Sequence, residues 1–326
     1  MCLFIFDVSL LRRAASVYEE EGIISLIYRS VTYLRESSSD SYPIDSSKLS
    51  NLDDEELLSI IQHEAHRIEK AVYNDILDKK AEYYSTKDER INKSKNILIN
   101  ERNYSYSHPI ISWAMNIQSI LEDSEPTWIS DESLTTVELE LDNLDPFVEF
   151  LEDRRSVRVW ADGQNQPSDQ QLHSIANKLI EGAKLAPNSG NRQAWRFKII
   201  TCEKEKKLLD GIKEKHTIKA PLLLFVGMDA RVYGDVADSE ISIYLDAGAA
   251  IMQMILTAHN AGLGTSWNHF GKDLINSRRS NRRKYREFAD QLDIPNYVEP
   301  MAIVCVGVAK FIPPTPARAS NERYLI

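Results

Sequence analysis

One segment, residues 154–197, restricts what this chain can be more than any other. It opens with RRSVRVW and closes with APNSGNRQAWRF. Arg154, Ser156 and Arg158 occupy alternate positions, so their side chains point to the same side of an extended segment. Two guanidinium groups and a hydroxyl on one side suit a phosphate group. The opening of the segment therefore predicts a phosphate-binding site.

The end of the same segment is a turn-rich loop. It reads PNSGNRQ from Pro187 to Gln193, and an apolar run follows from Trp195. Such a loop can offer backbone and side-chain amides to the polar edge of a planar ring. The loop and the phosphate site together predict a phosphorylated, planar cofactor.

RRSVR followed by PNSGNRQAW resembles the flavin-dependent nitroreductase family, which binds FMN. Two later stretches support the resemblance in the same order. DAGAAIMQMILTAHNAGLGTSW, from Asp246 to Trp267, is similar to the family's central helix and the Gly-Leu-Gly turn after it. PMAIVCVGVAKFIPPTPAR, from Pro300 to Arg318, is similar to its last core strand and arginine-bearing tail. Each stretch alone is a weak signal, and the four together are specific.

The resemblance implies an FMN site at the interface of a homodimer, with the loop and the arginines contributed by different subunits. The arginines and Ser156 would hold the phosphate and ribityl end, the loop would line the ring, and the backbone around Asn268 would approach the flavin N5. On the N5 side, His269 and Phe270 are the candidate catalytic residues. The implied cofactor-binding residues are Arg154, Ser156, Arg158, Pro187, Asn188, Ser189, Asn191, Gln193, Gly264, Asn268 and Arg318.

Family members often carry a further basic residue near the N1 and O2 edge of the flavin. The corresponding segment here is GIKEKHTIKAP. The sequence leaves the choice open among Lys213, Lys215, His216 and Lys219.

The pattern of elements predicts an α+β fold, and the resemblance implies a nitroreductase-like mixed sheet flanked by helices. Ser168, with Gln171 three residues on, is typical of a helix N-terminus. Continuous apolar strands indicate a sheet covered on both faces. The predicted strands are 194–201, 221–228 and 301–308, and the predicted helices are 146–151, 168–185, 203–215 and 241–261, the last buried on all sides.

The first part of the chain predicts a separate helical extension. Residues 122–153 are rich in Asp and Glu without Lys or Arg, which is typical of a solvated connector. We therefore expect a helical extension with an acidic connector over residues 1–143 and the FMN-binding domain over 144–326. The expected helices of the extension are 14–34, a helix capped by Asn51 that runs to about Ala81, and one within 108–121. The first is either packed on the protein or bound to a membrane surface or partner.

The helix after Asn51 contains HEAHRIEK, from His63 to Lys70. Its face could present cations to an anion. A metal site is not expected, because the two histidines are three residues apart and no third ligand is near. The HxxEK pattern loosely resembles nitroreductase-like proteins with a helical extension that are associated with surface polysaccharide synthesis.

Composition excludes several classes. The net charge of −10 argues against general affinity for nucleic acid. The three cysteines lack metal-site spacing and fit a reducing compartment, with Cys305 a buried apolar residue. The sequence contains no run of 18 apolar residues, so it predicts no membrane-spanning helix. Its apolar opening comes before the first arginines, which is the wrong order for a secretory signal. We therefore expect a cytoplasmic protein. The basic cluster 278–286 is either a solvated helix face or a phosphate-docking site.

Three functional hypotheses follow. The first is an FMN-dependent oxidoreductase that passes a hydride from NAD(P)H through FMN to a small electron-poor acceptor. The second is a specialised biosynthetic redox enzyme, for example in surface glycan synthesis, whose extension binds substrate or a partner. The third is a non-enzymatic dimeric scaffold, which would have no need of the implied flavin residues. The acceptor and the choice between NADH and NADPH stay open.

Overall fold

The structure is a computed structural model that describes residues 46–73, 81–122, 141–233, 239–270 and 279–325. Its helices are α1 (Asp54–Tyr73), α2 (Ala81–Arg102), α3 (Pro109–Glu122), α4 (Leu144–Asp153), α5 (Asp169–Ala183), α6 (Glu203–Lys207), α7 (Lys215–Ile218), α8 (Ser239–Asn260) and α9 (Arg279–Gln291). Its strands are β1 (Val159–Trp160), β2 (Trp195–Ile200), β3 (Leu222–Asp229), β4 (Gly264–His269), β5 (Val298–Gly307) and β6 (Ala309–Phe311).

The main sheet has the strand order β2-β3-β5-β4, with every neighbouring pair antiparallel. Beyond β4, Ser156 forms a parallel bridge with Thr265, so the predicted phosphate-binding segment lies along the sheet edge. Strands β1 and β6 pair separately. The α+β class and the helix-flanked sheet of the sequence prediction are confirmed.

Both faces of the sheet are buried. Along β3, Leu222, Leu224, Val226 and Met228 pack toward α5 and α8, while the intervening Leu223 and Phe225 pack toward α9. Period-two alternation explains this division, and two covered faces explain why β3 is apolar throughout. Burying each large apolar side chain stabilises the fold by about 1.5–3 kcal/mol.

Helix α8 is half-buried, which corrects the expectation that it is buried on all sides. Ala250 and Met254 lie in the core, whereas Ile241 and Leu245 are 60% and 67% exposed. By length and composition alone, residues 241–260 could cross a membrane. Packing in the core explains the apolar residues on one side of α8. The apolar residues on its other side form an exposed surface.

Helices α1, α2 and α3 form a bundle with its own apolar core. Within α1, every residue from Leu57 to Ala65 is buried. A helix in a small bundle would expose one side. Here that side packs on the turns Ser189–Asn191 and Ala230–Tyr233 of the sheet-containing part. Helix α1 therefore joins the two parts of the protein.

The start of α1 differs from the sequence prediction. The Glu56 amide donates to Asp53 Oδ1 at 2.9 Å, and the Asp53 amide donates to Glu56 Oε2 at 3.1 Å. This reciprocal pair is a capping box with Asp53 as the N-cap. Asn51 ends a preceding 3₁₀ turn instead.

Other differences concern short or polar elements. Of the predicted helix 203–215, only the first part is helical, as α6 (Glu203–Lys207). An irregular segment follows, and α7 begins at Lys215. Strand β4 and helix α2 were not predicted. The helix 14–34 and much of the acidic connector lie outside the described residues, and the boundary at 143 stays a prediction.

An ion-pair network attaches α1 to β3. Asp229 is fully buried and accepts hydrogen bonds from Arg231 at 2.7 and 2.9 Å and from Arg196 at 3.1 Å. Arg231 also pairs with Asp53 and Glu56 at the start of α1. Burial alone would raise the pKa of Asp53, and the hydrogen bonds from the Glu56 amide and Arg231 outweigh it, so that pKa is lowered.

We expect Arg231→Met to lower the free energy of unfolding by about 2–4 kcal/mol, because it leaves the buried Asp229 carboxylate with fewer partners. Methionine keeps the aliphatic stem of the arginine. Urea denaturation of the full chain measures the change. Lys178→Met is the control, since it breaks an exposed pair with Glu181 and should cost under about 0.5 kcal/mol. Equal losses in both variants would contradict the role of the network.

Candidate functional site

The predicted phosphate-binding segment is fixed to the sheet edge by its backbone. The Val157 amide donates to Thr265 O at 2.8 Å, and the Val157 side chain is buried in the core beneath the sheet. Since Val157 points inward, its neighbours Ser156 and Arg158 point the other way. Arg154 follows directly after α4, and its amide donates to Leu151 O. The alternation expected from the sequence is present.

Gly264 acts on this segment through its lack of a side chain. A Cβ at Gly264 would lie 2.7–3.0 Å from three side-chain atoms of Val157, and the backbone there has no positive φ. The glycine is required for close approach of the segment to β4. This is a different role from the flavin contact implied by the resemblance.

Polar side chains on β4 continue the site. Ser266 Oγ lies 3.3 Å from His216 Nε2, and Asn268 Nδ2 donates to Ser266 O and to Cys305 Sγ, both at 3.3 Å. Burial lowers the pKa of His216, and the nearby Arg158 lowers it further against the opposing effect of Glu214. The cationic end of the phosphate segment therefore lies beside α7 and β4.

Lys213 is the second basic residue in this group. Its Nζ donates to Asn268 O at 3.2 Å and His269 O at 2.6 Å and lies 3.7 Å from the centroid of the Phe270 ring. Burial lowers its pKa to about 8, although Cys305 and Glu214 act in the opposite direction. Lys215 and Lys219 are exposed. Of the four candidates, Lys213 and His216 contact residues of β4, and the choice of the residue that faces the flavin edge stays open.

Phe270 is a core residue. Its ring is buried against Phe225 and Tyr285, and its amide donates to Met301 O at 2.8 Å. Both the ring and the amide are engaged within the protein, and the placement of Phe270 on the N5 side stays a prediction. His269 is exposed at the end of β4, and its assignment stays a prediction.

The second group is the loop from Pro187 to Gln193. Gly190, Asn191 and Gln193 have φ values of 61°, 52° and 51°. Positive φ is uncommon for residues other than glycine, so the loop needs external support to hold this shape. Within the loop, the Gln193 amide donates to Asn188 Oδ1 at 2.9 Å, and Gln193 Nε2 donates to Asn191 Oδ1 at 3.1 Å.

Helix α8 provides one support. The Ser189 amide donates to both carboxylate oxygens of Asp246, at 3.0 and 3.1 Å. Tyr233 Oη donates to the same carboxylate at 2.6 Å, and its pKa is raised by burial and by this bond. Asp246 lies in the stretch that resembles the family's central helix, but the sequence analysis assigned it no role.

Helix α1 provides the other support. His63 Nδ1 lies 3.3 Å from Gly190 O, and Ser59 Oγ donates to Arg192 O at 3.4 Å. Arg192 is buried and donates to Ser189 O at 2.8 Å. The sequence gave no signal for Ser59 or Arg192, and the HEAHRIEK motif drew attention to His63 for a different reason.

The implied site residues therefore fall into two groups with separate supports. Gly264 and Asn268 belong to β4, and Ser156 bridges to that strand with Arg154 and Arg158 two residues away on either side. The loop contains Pro187, Asn188, Ser189, Asn191 and Gln193. Arg318 is exposed in the tail and donates to Ala317 O, and Thr315 of the same tail contacts Arg155. Among the described residues there is no cluster of three metal-ligating side chains.

The nitroreductase family profile matches residues 151–219 and 211–308. Residues 151–308 belong to the nitroreductase family. The protein is accordingly an oxidoreductase, and the matched range begins after α1, α2 and α3. The β4 group and the loop both lie inside the nitroreductase part.

Two archaeal relatives carry the provisional name NADH dehydrogenase/NAD(P)H nitroreductase. The one from Archaeoglobus fulgidus is 27% identical over 162 residues, covering 48% of this chain and 82% of the relative. The one from Methanothermobacter thermautotrophicus is 22% identical over 188 residues, covering 55% and 86%. A solved structure from Desulfovibrio desulfuricans, provisionally described as a nitroreductase in complex with FMN, is 21% identical with a TM-score of 0.45 and covers 56% of this chain and 95% of that chain.

We expect Gly264→Ala to weaken cofactor binding, because the added Cβ would push Val157 and the attached Arg154–Arg158 segment away from β4. Overpacking of this kind costs about 1–3 kcal/mol, and cofactor titration together with thermal unfolding measures both effects. Gly163→Ala is the control, since nothing lies within 4 Å of a Cβ there. Unchanged binding in Gly264→Ala would exclude the close approach as a determinant of the site.

Proposed function

We propose that the protein is an FMN-dependent oxidoreductase that takes electrons from NAD(P)H and reduces a small electron-poor acceptor in the cytoplasm. The observation that carries the proposal is the backbone-anchored Arg154–Arg158 segment beside the polar group on β4. Bound FMN would supply the two-electron chemistry between the nicotinamide and the acceptor. The names of the two archaeal relatives support the nicotinamide as donor.

The residues present fit FMN by their chemistry. Arg154 and Arg158 supply positive charge for a dianionic phosphate, and Ser156 supplies a hydroxyl. The loop and Asn268 supply amides for polyol and ring-edge atoms. Lys213 supplies a cation near the same strand, and His216 supplies a neutral imidazole. The Lys213 bonds to Asn268 O and His269 O orient the end of β4, so the chain mainly binds and positions its reactants.

The exposed apolar surface supports a homodimer. Helix α4 has no buried residue, and it exposes Leu144, Phe147 and Val148. Helix α8 exposes Ile241 and Leu245. Monomeric soluble proteins rarely leave large contiguous apolar patches in water. A second copy that covers these helices would also bring the β4 group of one subunit to the loop of the other, as the family resemblance implies.

One observation favours the second candidate, a specialised biosynthetic redox enzyme. Helix α1 of the extension contacts the loop directly. Because the extension contacts the proposed cofactor-binding loop, it can contribute to the site, which a detached domain could not do. Under this alternative the acceptor is an intermediate of a biosynthetic pathway, and reduction by free NADH or NADPH is slow or absent.

We expect the purified protein to be yellow, and its flavin absorbance to bleach when NADH or NADPH is added without oxygen. The double variant Arg154→Ala/Arg158→Ala should lose the flavin, because each arginine contributes a charge-assisted bond worth about 1.5–3 kcal/mol. Absorbance of the dialysed protein measures flavin content. Lys204→Ala/Lys207→Ala removes two charges from exposed positions on α6 and should keep it. Full flavin content in the arginine variant would refute the site, and flavin that stays oxidised would favour the biosynthetic enzyme.

Leu245→Glu tests the dimer. If the protein is a monomer, Leu245 is 67% exposed, and the substitution should change the free energy of unfolding by less than about 0.5 kcal/mol. In a dimer it buries a charge, so we expect sedimentation velocity to show monomers and the flavin content to fall. Tyr106→Glu, at a 57% exposed site between α2 and α3, should leave the dimer intact. A Leu245→Glu dimer with full flavin would place the interface elsewhere.

A further inference from the structure

The imidazole of His63 packs against the backbone of the loop at Gly190. Nδ1 lies 3.3 Å from Gly190 O, and a Cβ built on Gly190 would overlap Nδ1 and its neighbouring ring carbon. Gly190 has a φ of 61°. The glycine therefore serves two purposes, since it adopts the left-handed conformation and leaves room for the ring from α1. The ring fills the space where a side chain would otherwise be.

One turn earlier on α1, Ser59 contacts the next part of the loop. Its hydroxyl donates to Arg192 O at 3.4 Å, and both Ser59 and Arg192 are buried. The Arg192 guanidinium donates hydrogen bonds to Ser189 O at 2.8 Å and to Ser189 Oγ at 3.2 Å. Ser59 and His63 are four residues apart, so they share one face of the helix. That face meets the loop at two carbonyl groups.

The position of α1 is itself fixed from its other sides. Glu64, next to His63, is fully buried and pairs with Arg90 of α2 at 3.0 Å and with Lys87 at 3.7 Å. At its first turn, Asp53 and Glu56 pair with Arg231. A helix held at both points can constrain a loop that would otherwise be free to relax. The loop is thereby clamped between Asp246 on α8 and His63 on α1.

We propose that His63 and Ser59 of the helical extension are positioning residues of the flavin site, which hold the Pro187–Gln193 loop in its cofactor-binding shape. The inference rests on the proposed FMN function and adds a role for the extension to it. It identifies the bundle as an integral part of the site. Loss of the clamp lets Gly190, Asn191 and Gln193 leave their positive φ values, so that the amides that face the cofactor lose their orientation.

The protonation state of His63 gives the clamp a measurable signature. Burial, together with the positive charges of Arg192, Arg67 and Lys87, lowers the pKa of His63 to about 3 against the opposing effect of the Gly190 hydrogen bond. The ring is thus neutral when packed, whereas a released ring binds a proton below its ordinary value of about 6.5. Acid therefore favours release, and the stability that the packed ring provides is lost as the pH falls from about 6.5 toward 3.

The first experiment compares FMN dissociation constants of full-length variants by fluorescence titration at pH 7.5. We expect His63→Ala to weaken binding about tenfold, as loss of one buried hydrogen bond and its packing implies. His63→Asn places an amide near the Nδ1 position and should restore affinity to within about threefold. His66→Ala is the matched control, because His66 lies on the same helix and bonds Glu69 instead of the loop. Equal affinity of wild type and His63→Ala would overturn the inference.

Two further readouts separate this inference from the proposed function. Without FMN, hydrogen exchange at the Ser189 and Gln193 amides, which are bonded to Asp246 and Asn188, should be about tenfold faster in His63→Ala and unchanged in His66→Ala. Between pH 7 and 5, wild type should lose more stability than His63→Asn, which cannot titrate there. A wild type that never binds FMN would refute the function while the exchange result still tests the clamp. Unchanged exchange or identical pH profiles would refute the clamp alone.

Discussion

The pairing of β3 with β5 is the constraint on which the rest of the structure depends. Eight pairs of residues run from Leu222–Val306 to Asp229–Val298, and both strands are covered on both faces. Because β5 also pairs with β4, this central pair places β4 at the sheet edge. The Arg154–Arg158 segment can then add to β4 through the Val157 amide. The position of the residues proposed to bind phosphate thus follows from the core.

The sequence predicted those helices and strands that are marked by a short local motif or by a continuous run of apolar residues. The apolar runs of β3 and β5 and the Ser168 capping box are of this kind, and all three are present. It missed β4, whose residues GTSWNH place polar side chains on a partly exposed edge. It missed α2 because the buried face of this helix includes the polar residues Lys87 and Ser94, which interrupt the apolar pattern. Lys87 lies beside the buried Glu64, a partner that only the tertiary structure reveals.

The same distinction applies to the site. The alternating arginines and the turn-rich loop can be recognised in the sequence, because each motif consists of residues that are adjacent in the chain. The supports are remote in sequence: Ser189 depends on Asp246, 57 residues away, and Gly190 on His63, 127 residues away. Such contacts have no local pattern. The sequence also could not show that Lys213 and His216 contact β4, since this depends on an irregular segment between α6 and α7 that resembled one continuous helix.

The loop explains why a helical extension can belong to a cofactor site without carrying cofactor ligands. Residues other than glycine at positive φ cost of order 1–3 kcal/mol each, and they persist where surrounding structure determines them. Asn191 and Gln193 are in this conformation, and the contacts that restrain them come from both α8 and α1. Helix α1 is in turn held by charged side chains on α2 and in the turn Ala230–Tyr233 that follows β3. The bundle core therefore restrains the loop through one helix, and the burial of His63 at this contact lowers the pKa of its imidazole.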